Sequence, residues 1–350
     1  MGAGTGVLSP LPFVIATLVS AVGLGCPGPS PDVASTAAPE AATGEAPTPG
    51  LFVDQILQVG GSERSYDIFI PELDVADLGK APAILLLHGN GGSTSQLLGR
   101  GGETAPFKRW LTLAEQHRFF LLLPNGNLGP GDKRGWNDCR SDATTNPQSD
   151  DVAFVDSLID VVVGRFGVDP GAVFATGISN GGHFALRLAI ERPARVRAVG
   201  VVAASMPAET ECDVPSTPVS VLFLNGTEDP ICPFGGGFVG GEASSGRGSV
   251  VGSPASIALW REVNGLVDEG REEPLPDTDS ADESTVIRLR YRLSFPTVEA
   301  LHVVGGGHTE PSLVERYRPW FLQIVGRQNG DVEMADEVWS FFSSQREEAP

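Results

Sequence analysis

The sequence predicts an α/β fold with a mostly parallel, doubly wound sheet. Three observations carry that reading. Short continuous apolar runs such as "APAILLL" (81–87), "FFLLLP" (119–124) and "VSVLFLNG" (219–226) have the character of strands buried on both faces. They alternate with helical patterns such as "DVAFVDSLIDVVVGRF" (151–166), whose apolar spacing is near 3.6. Glycines mark the ends of the apolar runs, as expected where strands turn into loops or helices.

Taken in order, "LFVDQILQV" (51–59) and "SYDIFIP" (65–71), joined through Gly60-Gly61, predict an N-terminal antiparallel hairpin. Strand 81–87 follows, then a helix over 105–117, the strand at 119–124 and the helix over 151–166, which opens on the favourable charge of Asp151. Next come strand 172–177, helix 180–191 and strands 197–204 and 219–226. A helix near 255–265 precedes an acidic, proline-bearing loop near 267–284. Strands 285–293 and 298–305 and a helix over about 332–343 complete the pattern. No internal repeat is visible.

Composition bounds the function. The chain has 350 residues, 41% of them hydrophobic, enough for one substantial core or two small ones. Its formal net charge of −20 argues against nucleic-acid binding, because a phosphate backbone would be repelled. Residues 1–50 carry no Lys or Arg. Within them "LPFVIATLVSAVGLG" (11–25) has the length of a signal peptide and is short for a membrane span. Cys26 follows at once, which predicts a signal peptide over 1–26 ending in a lipid-modified Cys26, as in a bacterial lipoprotein. Residues 27–50, rich in Pro, Ala and Thr, read as a flexible tether. The catalytic domain is expected over 51–350, secreted or held at the cell envelope, touching a membrane only through that anchor.

The chemistry centres on "FATGISNGGH" (174–183). Ser179 lies between a predicted strand and a predicted helix, the setting of a nucleophile elbow, with Gly177 and Gly181 removing side chains that would collide across the turn. A serine hydroxyl needs a base. In chain order, "NGTEDP" offers Asp229, with Glu228 as its rival, and "VVGGGHTEP" offers His308 just past a strand. His302 sits inside a strand, His183 on the elbow helix and His117 at a helix end, so His308 is the expected base. "LLLHGNGG" (85–92) supplies a glycine loop whose Asn90 amide, with the Asn180 amide, would form an oxyanion hole. His88 would orient that loop. No CxxC pair or clustered ligand set suggests a metal, and no cofactor is expected.

The set "LLLHGNGG", "GWNDCR", "DDVAFVDSLID", "GISNGG", "NGTEDPICPFGGG" and "GGGH" resembles the poly(3-hydroxybutyrate) depolymerase-like esterases, in the group that includes feruloyl and acetylxylan esterases of carbohydrate esterase family one. The resemblance spans roughly 51–345. It implies an α/β-hydrolase fold and a secreted serine ester hydrolase with Ser179, Asp229 and His308 as its triad. It maps the first oxyanion donor onto Asn90 and puts Trp136 in a loop lining the acyl site, against a capping role on the core. Relatives often read "HTWPG" after the histidine, whereas this chain reads His308-Thr309-Glu310-Pro311-Ser312. A bridge between Cys139 and Cys232 is expected, with pairings of Cys212 or free thiols as alternatives. The substrate would be a hydroxyalkanoate oligomer or an acylated polysaccharide. Acyl transfer on the same triad, or a catalytically silent binding module, are the other readings.

Overall fold

The computed structural model describes residues 46–346 except 243, 245 and 292–294. The signal peptide, Cys26 and nearly all of the tether lie outside the described residues. Ten strands form one sheet: β1 (Gly50–Val59), β2 (Ser62–Ile70), β3 (Ala81–Leu87), β4 (Phe120–Pro124), β5 (Val168–Ile178), β6 (Ala198–Val202), β7 (Ser220–Gly226), β8 (Arg271–Pro274), β9 (Thr285–Arg290) and β10 (Val298–Val304). In these labels their spatial order is β1-β2-β4-β3-β5-β6-β7-β10-β9-β8. The central run from β4 to β10 is parallel. The β1–β2 hairpin flanks one side and the β10–β9–β8 meander the other, both antiparallel. This is an α/β-hydrolase fold.

Alternation along β3 shows how the core is divided. Ala83, Leu85 and Leu87 face one apolar cluster, while Ile84 and Leu86 face the other, and all five are fully buried. The first cluster is closed by α3 (Asp151–Phe166), α4 (Asn180–Glu191) and α5 (Ser253–Val263), through residues such as Phe154, Phe184 and Trp260. The second is closed by α1 (Thr94–Leu97), α2 (Arg109–His117) and α7 (Met334–Ser344), through Leu97, Trp110 and Phe342. A strand with helices on both faces must be apolar throughout, which is why these runs do not alternate with polar residues.

Local signals set several boundaries. The Asp150 side chain caps α3 by accepting from the Ala153 amide, and Gly167 ends the helix with φ of 68°. Two features depart from the expected pattern. The acidic loop near 267–284 contains edge strand β8, "REEP", which pairs only with β9 and stays exposed, so it has no apolar signature. Helix α6 (Pro319–Val325) also lies outside the expected elements. Only Val325 of its residues is buried, so it has no periodic core face.

Candidate active site

β5 runs into α4 with Ser179 alone between them. Ser179 has φ of 55° and ψ of −120°, a conformation that costs a residue with a side chain on the order of 1–3 kcal/mol. The turn is held by the Ser179 amide donating to Val202 O at 2.9 Å and by the His183 amide donating to Ser179 O at 2.9 Å. Close approach of strand and helix explains the glycines. A Cβ on Gly181 would come within 2.2 Å of Leu87 O, and one on Gly177 within 2.6 Å of the Gly181 carbonyl carbon. Asn180 opens α4, so its amide N–H has no intrahelical acceptor.

Asp229 and His308 follow β7 and β10, which lie side by side and parallel. Their loops pack through glycines as well. A Cβ on Gly226 would lie 2.3 Å from both Gly306 O and Gly307 O. Asp229 Oδ1 accepts the Ile231 and Cys232 amides at 2.7 Å each, and Oδ2 accepts from His308 Nδ1 at 2.7 Å. That pairing places the ring hydrogen on Nδ1 and leaves the Nε2 lone pair free. Glu228 points elsewhere, pairing with Arg327 at the surface at 2.7 Å. Ser179, Asp229 and His308 therefore stand past the carboxyl ends of three parallel strands, where open α/β sheets hold their ligands.

The loop after β3 lies against the elbow. A Cβ on Gly89 would be 3.6 Å from Ser179 Cβ. The Gly91 amide donates to Arg134 O at 2.7 Å, while the Asn90 amide has no partner among the described residues. His88 holds this loop from beneath. Its Nε2 accepts the Gly126 amide at 3.0 Å and its Nδ1 meets Gly89 O at 2.8 Å. Burial lowers its pKa to about 4. His183, also buried, meets Ser205 O through Nδ1 at 2.8 Å, and burial lowers its pKa to about 3, with the Arg140 charge adding to the effect. His302 lies on β10, where burial lowers its pKa and its ring meets Phe234 edge-on. His117 ends α2 and packs on Trp339.

His88 and His183, buried and with lowered pKa values, predict an acid-labile core. Their folded pKa values lie below the ordinary 6.5, so an unfolded chain takes up protons that the folded chain refuses as pH falls. Their neutral state favours folding above pH 6.5, and that contribution declines toward about pH 4, by roughly 1.4 kcal/mol per pH unit for each histidine. Urea unfolding of the parent and of His88→Gln, which retains an acceptor for Gly126, should show the parent losing stability more steeply by about that amount. Equal slopes would contradict it.

The structure corrects the reading of Trp136. Its side chain is fully buried, its ring stacks on Phe184 at 5.1 Å, and Nε1 donates to His88 O at 2.8 Å. It caps the core beneath the loop after β3 and is not among the residues lining the cavity beside the elbow. Around it is a network with only a weak trace in the sequence. The Asn180 side chain accepts from the Trp136 amide at 2.7 Å and donates to Trp136 O and to Asp138 Oδ2. Asp138 is in turn bound by Arg140, at 2.7 Å through Nη2, with both side chains buried. Asp138 and Arg140 thus fix the residue that follows Ser179. Their only trace is a charged pair two apart inside "GWNDCR", beside a tryptophan.

The disulfide expectation is also corrected. Cys139 is bonded to Cys212, with Cα atoms 5.3 Å apart, and Cys232 is a buried free thiol. The Glu211 amide donates to Cys139 O, and Arg140 bridges Thr210, which brings Cys212 alongside Cys139. Cys232 is drawn instead into the turn capped by Asp229 and packs with Val239 and Val250. Burial raises its pKa to about 12. Cys212→Ser should cost about 2–4 kcal/mol in denaturant unfolding, and a reductant should destabilise the parent but not the variant. No difference between them would contradict a formed bridge.

Beside the elbow is a cavity of about 560 Å³ lined by Gly89, Ile178, Glu310, Tyr317, Trp320 and Phe321 among others. Glu310 is buried there, its carboxyl accepting from Tyr317 Oη at 2.8 Å.

This chain belongs to the esterase family whose model, described as "Putative esterase", matches residues 59–312. It is a carboxylic ester hydrolase of the α/β-hydrolase group. The chain is similar to putative esterase NocK of Nocardia uniformis subsp. tsuyamanensis, at 29% identity over 81% of this chain and 80% of NocK. It is also similar to the probable feruloyl esterase C of Aspergillus niger, at 30% identity over 57% of this chain and 66% of that one. Among solved structures, acetyl xylan esterase from Aspergillus awamori superposes with a TM-score of 0.48 at 16% identity, over 78% of this chain and 98% of its own.

Proposed function

We propose that this chain cleaves its esters through an acyl-enzyme formed on Ser179, with His308 as general base and Asp229 as the group that orients it. The observation that carries this reading is the 2.7 Å contact between His308 Nδ1 and an Asp229 carboxylate whose other oxygen is pinned by two amides. Ser179 Oγ attacks the ester carbonyl and its proton passes to His308 Nε2. The oxyanion is held by the amides of Asn90 and Asn180. His308 then gives the proton to the departing alcohol, and Asp229 stabilises the imidazolium. Water repeats the sequence, losing a proton to His308 and releasing the acid and the free serine.

The substrate classes that fit are feruloyl esters, acetylated polysaccharides and hydroxyalkanoate oligomers. The name of the Aspergillus niger relative favours the first. A Cys139–Cys212 bridge suits an oxidising compartment and so supports secretion. Anchoring through a lipid on Cys26 remains part of the proposal. Among the described residues no helix is long and apolar enough to cross a membrane.

Product analysis on methyl ferulate, acetylated xylan and a 3-hydroxybutyrate oligomer, each with and without added alcohol, tests the reading. Free acid is the expected product. An ester of the added alcohol as the main product would instead indicate acyl transfer, and no turnover by folded protein would leave a binding module.

A further inference from the structure

The cavity beside the elbow combines apolar walls, such as Leu97, Trp320 and Phe321, with polar groups at its rim, such as Gln96, Glu103 and Arg318, and one buried carboxyl. Glu310 is 5% exposed and reaches the cavity wall. One carboxyl oxygen accepts from Tyr317 Oη at 2.8 Å. Beyond Tyr317 the carboxyl meets its own main-chain amide, and His308 is the nearest positive partner available to it, with no ion pair formed among the described residues. The group is also held in place from behind. Gln328 Nε2 donates to Glu310 O at 2.8 Å, while Gln328 Oε1 accepts the Tyr317 amide at 2.8 Å, so one side chain fixes both partners. Tyr317 further packs on Phe321, with ring centroids 4.9 Å apart.

A buried carboxyl without a cation is costly unless its polar atoms find partners. Burial raises the Glu310 pKa, which favours a form able to donate as well as accept. A hydroxyl can meet either need, and in a cavity that opens beside Ser179 a substrate hydroxyl can take the place of water there. The cavity also touches Gly89 and Ile178, immediately beside the oxyanion loop and Ser179, and Glu310 stands two residues from His308. A group bound to Glu310 is thus attached close to the scissile bond.

We propose that Glu310 is a specificity-determining residue that reads a hydroxyl group carried by the ester near its reacting carbonyl. The inference rests on the ester-hydrolase reading of the same site. The hydroxyl can come from the acyl side, aliphatic or phenolic, or from the alcohol side, as on a sugar.

Three matched pairs distinguish these sources: methyl 3-hydroxybutanoate against methyl butanoate, methyl 2-hydroxycinnamate against methyl cinnamate, and 2-hydroxyethyl butanoate against propyl butanoate. The measurement is the ratio of kcat/KM within each pair for the parent, Glu310→Gln and Glu310→Met. The parent should favour the hydroxylated member of at least one pair by about tenfold, the worth of one hydrogen bond. Glu310→Met should bring that ratio to about one, and Glu310→Gln, which still hydrogen-bonds, should keep part of it. Each ratio is internal to one sample, so partial misfolding of a variant cancels. A parent with no preference in any pair, or a Glu310→Met variant that keeps the parent ratio, overturns the proposal. Hydrolysis of none of the six esters by the folded parent overturns the ester-hydrolase reading itself, and this inference with it.

Discussion

Ser179→Ala should lower kcat on any accepted ester by about four to six orders of magnitude, with little change in the stability of the fold. The size follows from the role assigned to the hydroxyl. Without Oγ no acyl-enzyme forms, and only substrate binding and the oxyanion donors remain to help a water attack directly. The fold should survive because the hydroxyl caps nothing. The turn is held by the Ser179 main chain, through Val202 O and the His183 amide, and the Ser179 side chain makes no cap hydrogen bond to α4. The strained φ of 55° tolerates alanine no worse than serine. Burst kinetics and a melting curve on the same sample check both halves. Activity retained within a factor of about ten would remove Ser179 from the mechanism.

Asp229→Asn should cost about 10⁴ in kcat by a different route. Asp229 Oδ1 accepts two amides, and an amide side chain can meet that demand only by placing its oxygen there. Its NH₂ then faces His308 Nδ1. The ring must accept on Nδ1 and carry its hydrogen on Nε2, so Nε2 can no longer take the serine proton. The geometry is preserved while the tautomer is wrong. A pH profile makes the distinction, because activity should recover at high pH where hydroxide or a rare tautomer substitutes for the base. An unchanged rate in Asp229→Asn would mean that the carboxylate does not set the ring.

Elements with a strong periodic or apolar signature were legible in the sequence. Helices 151–166 and 180–191 were read to their observed ends, because the first has clear 3.6-residue apolar spacing opening on Asp151 and the second starts at the turn after Ser179. Strand β8 was not, since an exposed edge strand that reads "REEP" buries nothing and pairs on one side only. That Ser179, Asp229 and His308 lie past strand ends was legible because each follows a strand that the pattern marks clearly; their catalytic roles are proposals. What escaped depends on which loops meet in space. Cys139 pairs with Cys212 through a backbone bridge between two segments 73 residues apart, and nothing in the local sequence around either cysteine reports that bridge. Trp136 could be read equally as a wall of the site or a cap on the core. Only the stacking on Phe184 and the bond to His88 O decide between them. The Asp138–Arg140 pair gains its meaning from the side chain of Asn180, 42 residues from Asp138.

Covalent labelling with a fluorophosphonate probe, followed by mass spectrometry of the adduct, tests the central claim most directly. The parent and Ser179→Ala are compared, both shown to be folded. The account predicts a single adduct on Ser179 that is absent from the variant, and much slower labelling in Asp229→Asn. An unlabelled parent, or an adduct on another residue that persists in Ser179→Ala, would contradict an activated serine at the elbow.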